Sequence, residues 1–342
     1  MDVSIIVPLY NVAPYIEACL QSVMRQSYTG SMECLVVDDG STDDSLAIVE
    51  RLLSAYDGPI RFKILRHEQN SGMSAARNTG TLQAIGDYLY YIDSDDEISE
   101  DCIEKLMQKA SEDPSIEMVQ GNTKVHSMQK NDKILVEKIK LPKTETNEEA
   151  RKCFYQYGQM NVNVWNKLLK LDFIIENNIL CGDVIMYEDW LWTFYLLKHL
   201  KKACFVPDVT YHYKRRDGSI TTGIDLGTSM ASYRAVFSDM MSHLTPGHEK
   251  DEFDYYAQWI TRVYFRNLSK EPLGFEDTIK LCMEKGRLYG SCRVRLMLAV
   301  LYCIDNFRYS WLLMEIFRKV RHPEQIISTF TRNPRLCRSS QS

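Results

Sequence analysis

A chain of 342 residues, 45% hydrophobic and 25% charged, has the apolar content for a packed core and exceeds what one core usually serves, so two structural regions are expected. The net charge of −5 hides an asymmetry, because from Gly286 onward ten Lys or Arg stand against Asp305, Glu315 and Glu324. The acidic body offers no continuous basic groove, which argues against nucleic-acid binding. The ten cysteines never approach closer than Cys282 and Cys292, which removes C-x-x-C zinc and thiol–disulfide chemistry and fits a reducing cytosol.

In chain order, VSIIVPLY is β-branched and reads as a first strand, which Pro8 is expected to close because proline cannot continue a central ladder. Ile16, Leu20, Val23 and Met24 have helical spacing, so a helix is expected from about Pro14 to Gln26. ECLVVDD (33–39) is the second strand, and Ser41 or Thr42 is a candidate N-cap for the helix that carries Leu46, Val49 and Leu53. RFKILR (61–66) reads as a third strand, 73–84 as a helix and 87–92 as a fourth strand. A helix over 99–110 and a strand over 116–121 complete an alternation that predicts an α/β fold, a parallel sheet covered by helices. Residues 122–150 are polar and read as a surface excursion or hairpin, 153–213 as a second apolar stretch, and 230–330 as wholly helical.

Neither G-x-G-x-x-G nor G-x-x-x-x-G-K-[ST] is present, since the first turn is PLYNVAP, so dinucleotide and P-loop binding are excluded. Carboxylates crowd the tips of two strands instead: Asp38 and Asp39 after the second, and Asp93, Asp95, Asp96 and Glu97 after the fourth. Two carboxylates about 4 Å apart repel by about 4 kcal/mol at a surface-like dielectric, so the cluster calls for a counter-charge. A D-x-D pair can hold a hard cation through oxygen ligands, and a carboxylate can accept from a uracil N–H or a ribose hydroxyl.

SIIVPLYN (4–11), VVDDGSTDDS (36–45), NSGMSAARNTG (70–80), YIDSDD (91–96), VWNKL (164–168) and YEDW (187–190) occur in the order and at roughly the distances found in family 2 glycosyltransferases, which the chain therefore resembles over about residues 3–222. The resemblance implies a GT-A fold: a mixed, mostly parallel sheet sandwiched by helices, here with a C-terminal helical region. It implies a catalytic domain at 1–222, with a nucleotide half (1–121) and an acceptor half (122–222), followed by helices at 223–342. It implies inverting transfer of a sugar from a nucleotide-sugar donor, UDP-linked by expectation, to a hydroxyl of a glycan or lipid-linked oligosaccharide in cell-surface polysaccharide synthesis, with Mn²⁺ or Mg²⁺ as cofactor.

By the same resemblance Asp189 is the catalytic base, with Glu188 orienting the acceptor or sugar. Asp95 is the direct metal ligand, and Asp93 meets the ribose or the metal's water shell. Pro8, Tyr10 and Asp39 line the nucleobase pocket, Arg77 lies near ribose and phosphates, and Arg216 and Ser219 close over the diphosphate. His212 is a further metal or phosphate candidate, with a half-buried strand position as its alternative. Trp165, Lys167 and Trp190 fall on the acceptor side, with packing the equal alternative for the first two. For Arg77 a neighbouring carboxylate is as good a partner as phosphate.

The rivals are a sugar-nucleotidyltransferase, which would want a glycine-rich basic loop where PLYNVAP stands, and a non-catalytic nucleotide- or glycan-binding scaffold. MDVSIIVPLY has no basic n-region, and the longest uncharged apolar run, LMLAVLYCI (296–304), is too short to span a bilayer, so a cytoplasmic enzyme is expected. The basic stretch 293–320 leaves two readings open, an inner-leaflet contact or a helical bundle that packs or dimerises.

Overall fold

The computed structural model describes residues 1–126, 133–135, 138–215, 225–267, 276–292, 294–295 and 297–299. The chain divides into two compact units, Met1–Gly223 and Ile224–Ser342. In the first, β1 (Val3–Leu9), α1 (Ile16–Met24), β2 (Met32–Asp38), α2 (Ser45–Ser54), β3 (Arg61–Arg66), α3 (Met73–Gln83) and β4 (Tyr88–Tyr91) alternate as the periodicity predicts. They are followed by β5 (Glu97–Ile98), α4 (Cys102–Ala110), β6 (Met118–His126), β7 (Lys133–Ile134), α5 (Asn147–Tyr155), β8 (Lys167–Lys170), α6 (Leu171–Glu176), α7 (Glu188–His199) and β9 (Ala203–Lys214).

Among the described residues the strands form one sheet ordered β3-β2-β1-β4-β8-β6-β9-β5, with β7 attached to β6. The long ladders are parallel, β1 with β2, β2 with β3 and β6 with β9, while the antiparallel ones formed by β5, β7 and β8 are short. Every residue of β1 and β2 is buried, as a parallel sheet covered on both faces requires. The edge strand β3 instead exposes Arg61, Lys63 and Arg66, charges that discourage pairing with another sheet edge. Chain order reverses across β1, which has β2 on one side and β4 on the other, so the crevice at their carboxyl ends is the switch point where α/β sheets bind ligands.

Three expectations need correction. Pro8 does not end β1, which continues to Leu9. The β4 ladder stops at Ile6↔Tyr91, so beyond that point only the β2 side is paired and a residue without N–H is tolerated. Neither Ser41 nor Thr42 caps α2, whose N-cap position is Asp44 with no side-chain cap bond. The loop is held across the crevice instead, where Asn11 Oδ1 accepts from the backbone N–H of Thr42 at 2.8 Å and of Asp43 at 3.3 Å. Residues 122–126 belong to the core, since β6 continues to His126 with Asn122, Thr123 and Val125 buried, while the hairpin reading holds in that β7 pairs back on β6 antiparallel.

Those buried polar residues are tolerated because Asn166 satisfies them. Its Nδ2 donates to the carbonyls of Gly121 and Asn122 and to Thr123 Oγ1, all at 3.0 Å. Its Oδ1 accepts from Tyr90 OH at 3.2 Å and Thr210 Oγ1 at 2.7 Å. Asn166 also sits at φ 58°, a left-handed conformation that asparagine tolerates better than most residues. Asn166→Ala strands several buried donors and acceptors, and we expect it to cost about 2–3 kcal/mol in denaturant unfolding. A loss below about 0.5 kcal/mol would deny the side chain this role.

In the second unit the described helices are α8 (Leu226–Ser242), α9 (Glu249–Asn267) and α10 (Glu276–Leu288). Asp225 caps α8 by accepting from Thr228 N, and Val236, Phe237, Met240, Phe253, Tyr256 and Ile260 are buried. Gly247 turns the chain between α8 and α9 at φ 84°, and α10 ends at Leu288, just before Gly290. Most of the basic stretch 293–320 lies outside the described residues.

Candidate active site

The site begins where β1, β2 and β3 end. Asp39 N donates to Leu9 O at 2.8 Å and His67 N to Asp38 O at 2.9 Å, so the three tips are stitched together. Gly40 makes the turn at φ 73°, and a Cβ there would sit 2.9 Å from the backbone of Gln69 and Asn70, so only glycine fits. Asp38 accepts from Ser41 N at 3.0 Å and serves the turn. Asp39 is 2% exposed. Its Oδ1 accepts from Ser71 N at 2.9 Å and lies 2.6 Å from His67 Nδ1, and its Oδ2 accepts from Gly72 N at 2.8 Å. Tyr10 stands exposed at the end of β1, and Pro8 is buried beneath it.

Beyond β4 the chain turns through the acidic cluster. Asp96 is nearly inaccessible and accepts from Tyr211 OH and from Lys214 N, both at 2.8 Å, so it anchors the cluster to β9. Burial, followed by repulsion from Asp93 and Asp95, pushes its carboxyl up to about 9.

The centre of the site is Arg77, on α3 and 1% exposed. Its Nη2 donates to Asp93 Oδ1 at 2.8 Å, and its Nη1 to Glu188 Oε1 at 3.0 Å and Asp189 Oδ1 at 3.4 Å. One guanidinium thus joins the first carboxylate of the D-x-D segment to both acidic residues at the start of α7, more than 90 positions downstream. Of the two partners that the sequence leaves open for Arg77, carboxylate is the one seen. Burial opposes its charge, yet Asp93, Asp189 and Glu188 hold the guanidinium protonated well above its ordinary range. Asp93 is raised by burial against the pull of Arg77, with Asp95 adding to the rise. Asp189 is pushed up to about 7 by burial and by Glu188, again against Arg77. Tyr187, immediately before the pair, has φ 66°, an uncommon conformation for a bulky residue of the kind that functional sites retain.

The remaining candidates divide. Trp165 is buried and stacks on Tyr211 with centroids 4.3 Å apart, and on Tyr213 at 5.7 Å, so its geometry is that of packing. Lys167 is fully buried and donates to Asn163 O, and burial pulls its ammonium down to about 7 although Asp189 works the other way. Trp190 is partly exposed on the first turn of α7, whereas Trp192 is fully buried. His212 lies opposite Glu97 with its Nδ1 3.0 Å from His126 Nε2, which is the half-buried strand position named as its alternative. Arg216 and Ser219 lie outside the described residues. Sequence reasoning missed His67, and it gave Asn166 no role although VWNKL contains it.

Among the described residues no group of three or more His, Cys, Asp or Glu is placed to hold a metal ion, so there is no resident cage and His212 does not complete one. What the chain offers is two aspartates two positions apart, Asp93 and Asp95. That donor set suits a cation arriving with phosphate oxygens, as Mg²⁺ commonly binds through one or two carboxylates plus substrate phosphates.

A sheet of this order, mixed and mostly parallel and covered by helices, has GT-A architecture. Residues 4–166 match the model described as glycosyl transferase family 2. The glycosyltransferase GlyG of Streptococcus pneumoniae serotype 4 is 29% identical over 228 residues, which cover 64% of this chain and 72% of that one. For several other curated relatives the match spans only 62% of their length. The fold is shared with S. aureus TarS 1–349, solved in complex with UDP-GlcNAc, at a TM-score of 0.69 and 21% identity over 89% of this chain and 88% of that one. The mannosyltransferase PcManGT of Pyrobaculum calidifontis, solved with GDP-Man and Mn²⁺, aligns at a TM-score of 0.56 and 17% identity over 92% and 84% of the two chains.

Proposed function

We propose that the chain is a metal-dependent inverting hexosyltransferase that moves a sugar from a UDP-linked donor to a hydroxyl of a glycan or lipid-linked oligosaccharide in cell-surface polysaccharide synthesis. The observation that carries this reading is the bridge from Asp93 through Arg77 to Glu188 and Asp189, which brings the donor-side carboxylate and the base within one side chain's reach. In the transfer, Asp189 takes the proton of the acceptor hydroxyl while that oxygen bonds to the anomeric carbon and the bond to the diphosphate breaks, with inversion. Glu188 orients the acceptor or sugar and holds Asp189 in a basic state.

Asp95, with Asp93, would hold Mn²⁺ or Mg²⁺, which when bound offsets the charge of the leaving diphosphate. Pro8, Tyr10 and Asp39 receive the nucleobase, and Arg216 and Ser219 the diphosphate. Trp190 belongs to the acceptor side. A uridine donor is supported by TarS having been solved with UDP-GlcNAc, and a metal by PcManGT having been solved with Mn²⁺. Residues 1–222 are the catalytic domain, with 1–121 and 122–222 as its donor and acceptor halves, and 223–342 a helical region. The enzyme works in the cytoplasm at the inner face of the membrane, the basic helices supplying a peripheral contact. Among the described residues no helix is long and apolar enough to cross a membrane.

The test is a melting-temperature panel of UDP, GDP, CMP and dTDP sugars, each with Mn²⁺ and with EDTA. A UDP-sugar at about a hundredfold its Kd is expected to raise the melting temperature by roughly 5–10 °C, with the rise abolished by EDTA. Equal stabilisation by GDP-sugars would overturn the uridine assignment. A rise unaffected by EDTA would overturn the metal.

A further inference from the structure

The nucleobase end of the site contains a hydrogen-bond relay that the transfer chemistry does not use. His67, just past β3, lies between Asp39 at the tip of β2 and Thr79 in the middle of α3, with Nδ1 2.6 Å from Asp39 Oδ1 and Nε2 2.9 Å from Thr79 Oγ1. A carboxylate oxygen only accepts, so the short contact requires Nδ1 to carry the proton. In the neutral ring Nε2 is then the acceptor of the Thr79 hydroxyl, and the chain runs Thr79 to His67 to Asp39 in one direction. The Asp39 carboxylate fixes the imidazole tautomer, and the Thr79 hydroxyl holds the ring in its plane.

We infer that His67 is a positioning residue for nucleobase selection, holding Asp39 as an acceptor so that the site takes an imide base such as uracil and refuses cytosine. The inference rests on the proposed reading of Asp39 as the nucleobase contact. A carboxylate has about four acceptor positions. Here Nδ1–H of His67 and N–H of Ser71 occupy two on Oδ1, and N–H of Gly72 occupies one on Oδ2. Among the described residues the open position is therefore on Oδ2, and it accepts. Uracil presents N3–H there and fits, while cytosine presents an N3 lone pair and meets like polarity. Two backbone donors from one loop take one position on each oxygen. His67, just past β3, adds a second and shorter bond on Oδ1 from a different element, which fixes the tilt of the carboxylate that a single loop would set alone. A site that recognises one hydrogen-bond polarity discriminates strongly, because the wrong base leaves buried groups unpaired.

The experiment is titration of UDP and CDP, with Mn²⁺ present, into the full chain and four variants, with ligand-free melting temperatures recorded alongside. In wild type UDP binds and CDP binds far more weakly. His67→Leu is expected to weaken UDP by about tenfold or more and to narrow the UDP-to-CDP ratio, because CDP loses little. His67→Asn, whose amide can reach Asp39 but not Thr79, restores most of the UDP affinity and the ratio. Thr79→Val keeps the side chain's volume and removes only the hydrogen bond that orients the ring, so it weakens UDP by a smaller factor in the same direction. Asp39→Asn separates the two levels of the argument. If it leaves UDP binding intact, Asp39 does not hold the base and the underlying reading fails. If it abolishes UDP binding while His67→Leu and Thr79→Val leave the ratio unchanged, that reading stands and His67 has no positioning role. Equal weakening of UDP and CDP in both His67→Leu and Thr79→Val would also overturn the inference, since a general loss of structure has no base preference.

Discussion

Replacing Asp189 with Asn is expected to lower kcat by about 10²–10⁴-fold, the range for loss of a general base, while UDP affinity stays within about threefold. The amide keeps the size and the contact with Arg77 but cannot take a proton. The pH profile supplies a second reading of the same residue. Because burial and Glu188 push Asp189 up to about 7, kcat/KM should fall as pH drops through neutrality, where the base becomes protonated. Glu188→Gln removes the neighbouring charge, so the inflection should move to lower pH. The stability sign is opposite to the catalytic one. A carboxyl whose folded value lies above its unfolded value of about 3.9 binds protons more tightly when folded, so it costs stability as pH rises from about 4 to about 7. Asp189→Asn should therefore melt higher than wild type above pH 7, with the difference vanishing near pH 4. Retained turnover, or an inflection unmoved in Glu188→Gln, would remove Asp189 from the base role.

The parallel half of the fold was legible because its signals are local. β1 and β2 are buried on both faces, so their apolar runs are continuous, and the helices between them carry clear 3.6-residue spacing. Local rules failed where a long-range partner decided the outcome. Pro8 continues β1 because β4 has already ended beside it, a fact about register. Asn122 and Thr123 look like surface residues until Asn166, more than 40 positions away, meets their polar groups. The site divides in the same way. Motif positions marked Asp39, Asp93 and Asp189 individually, but not that Arg77 joins the last two, because a guanidinium suits phosphate and carboxylate equally. His67 carried no signal of its own, since a histidine after a strand means nothing until Asp39 and Thr79 are on either side of it. The motif left Trp165 between acceptor and packing because an aromatic face suits a sugar and another ring equally; in the structure it stacks on Tyr211.

Arg77→Leu is expected to produce the largest loss of stability, about 3–5 kcal/mol, because it leaves three part-buried carboxylates without the cation they share. For a unit of this size that corresponds to a fall in melting temperature of roughly 6–20 °C. Leucine fills part of the volume, so the loss is mainly electrostatic, and its pH dependence separates it from a packing defect. Without the arginine, burial and neighbouring carboxylates act on Asp93 and Asp189 with only Lys167 left to oppose them at Asp189, which favours their neutral forms. Groups whose folded values are raised in this way stabilise the folded chain less as pH rises, so the gap between variant and wild type should be wide at pH 8 and narrow at pH 5. Mn²⁺ should act in the same sense, raising the melting temperature of Arg77→Leu more than that of wild type, because the variant has more uncompensated negative charge to bind it. Arg77→Lys keeps the charge but loses the fork that reaches two elements at once, and should fall between the two. A gap of equal size at pH 5 and pH 8 would mean that Arg77 is held for its volume. The bridge between the D-x-D aspartate and the base would then be a consequence of packing rather than the force that organises the site.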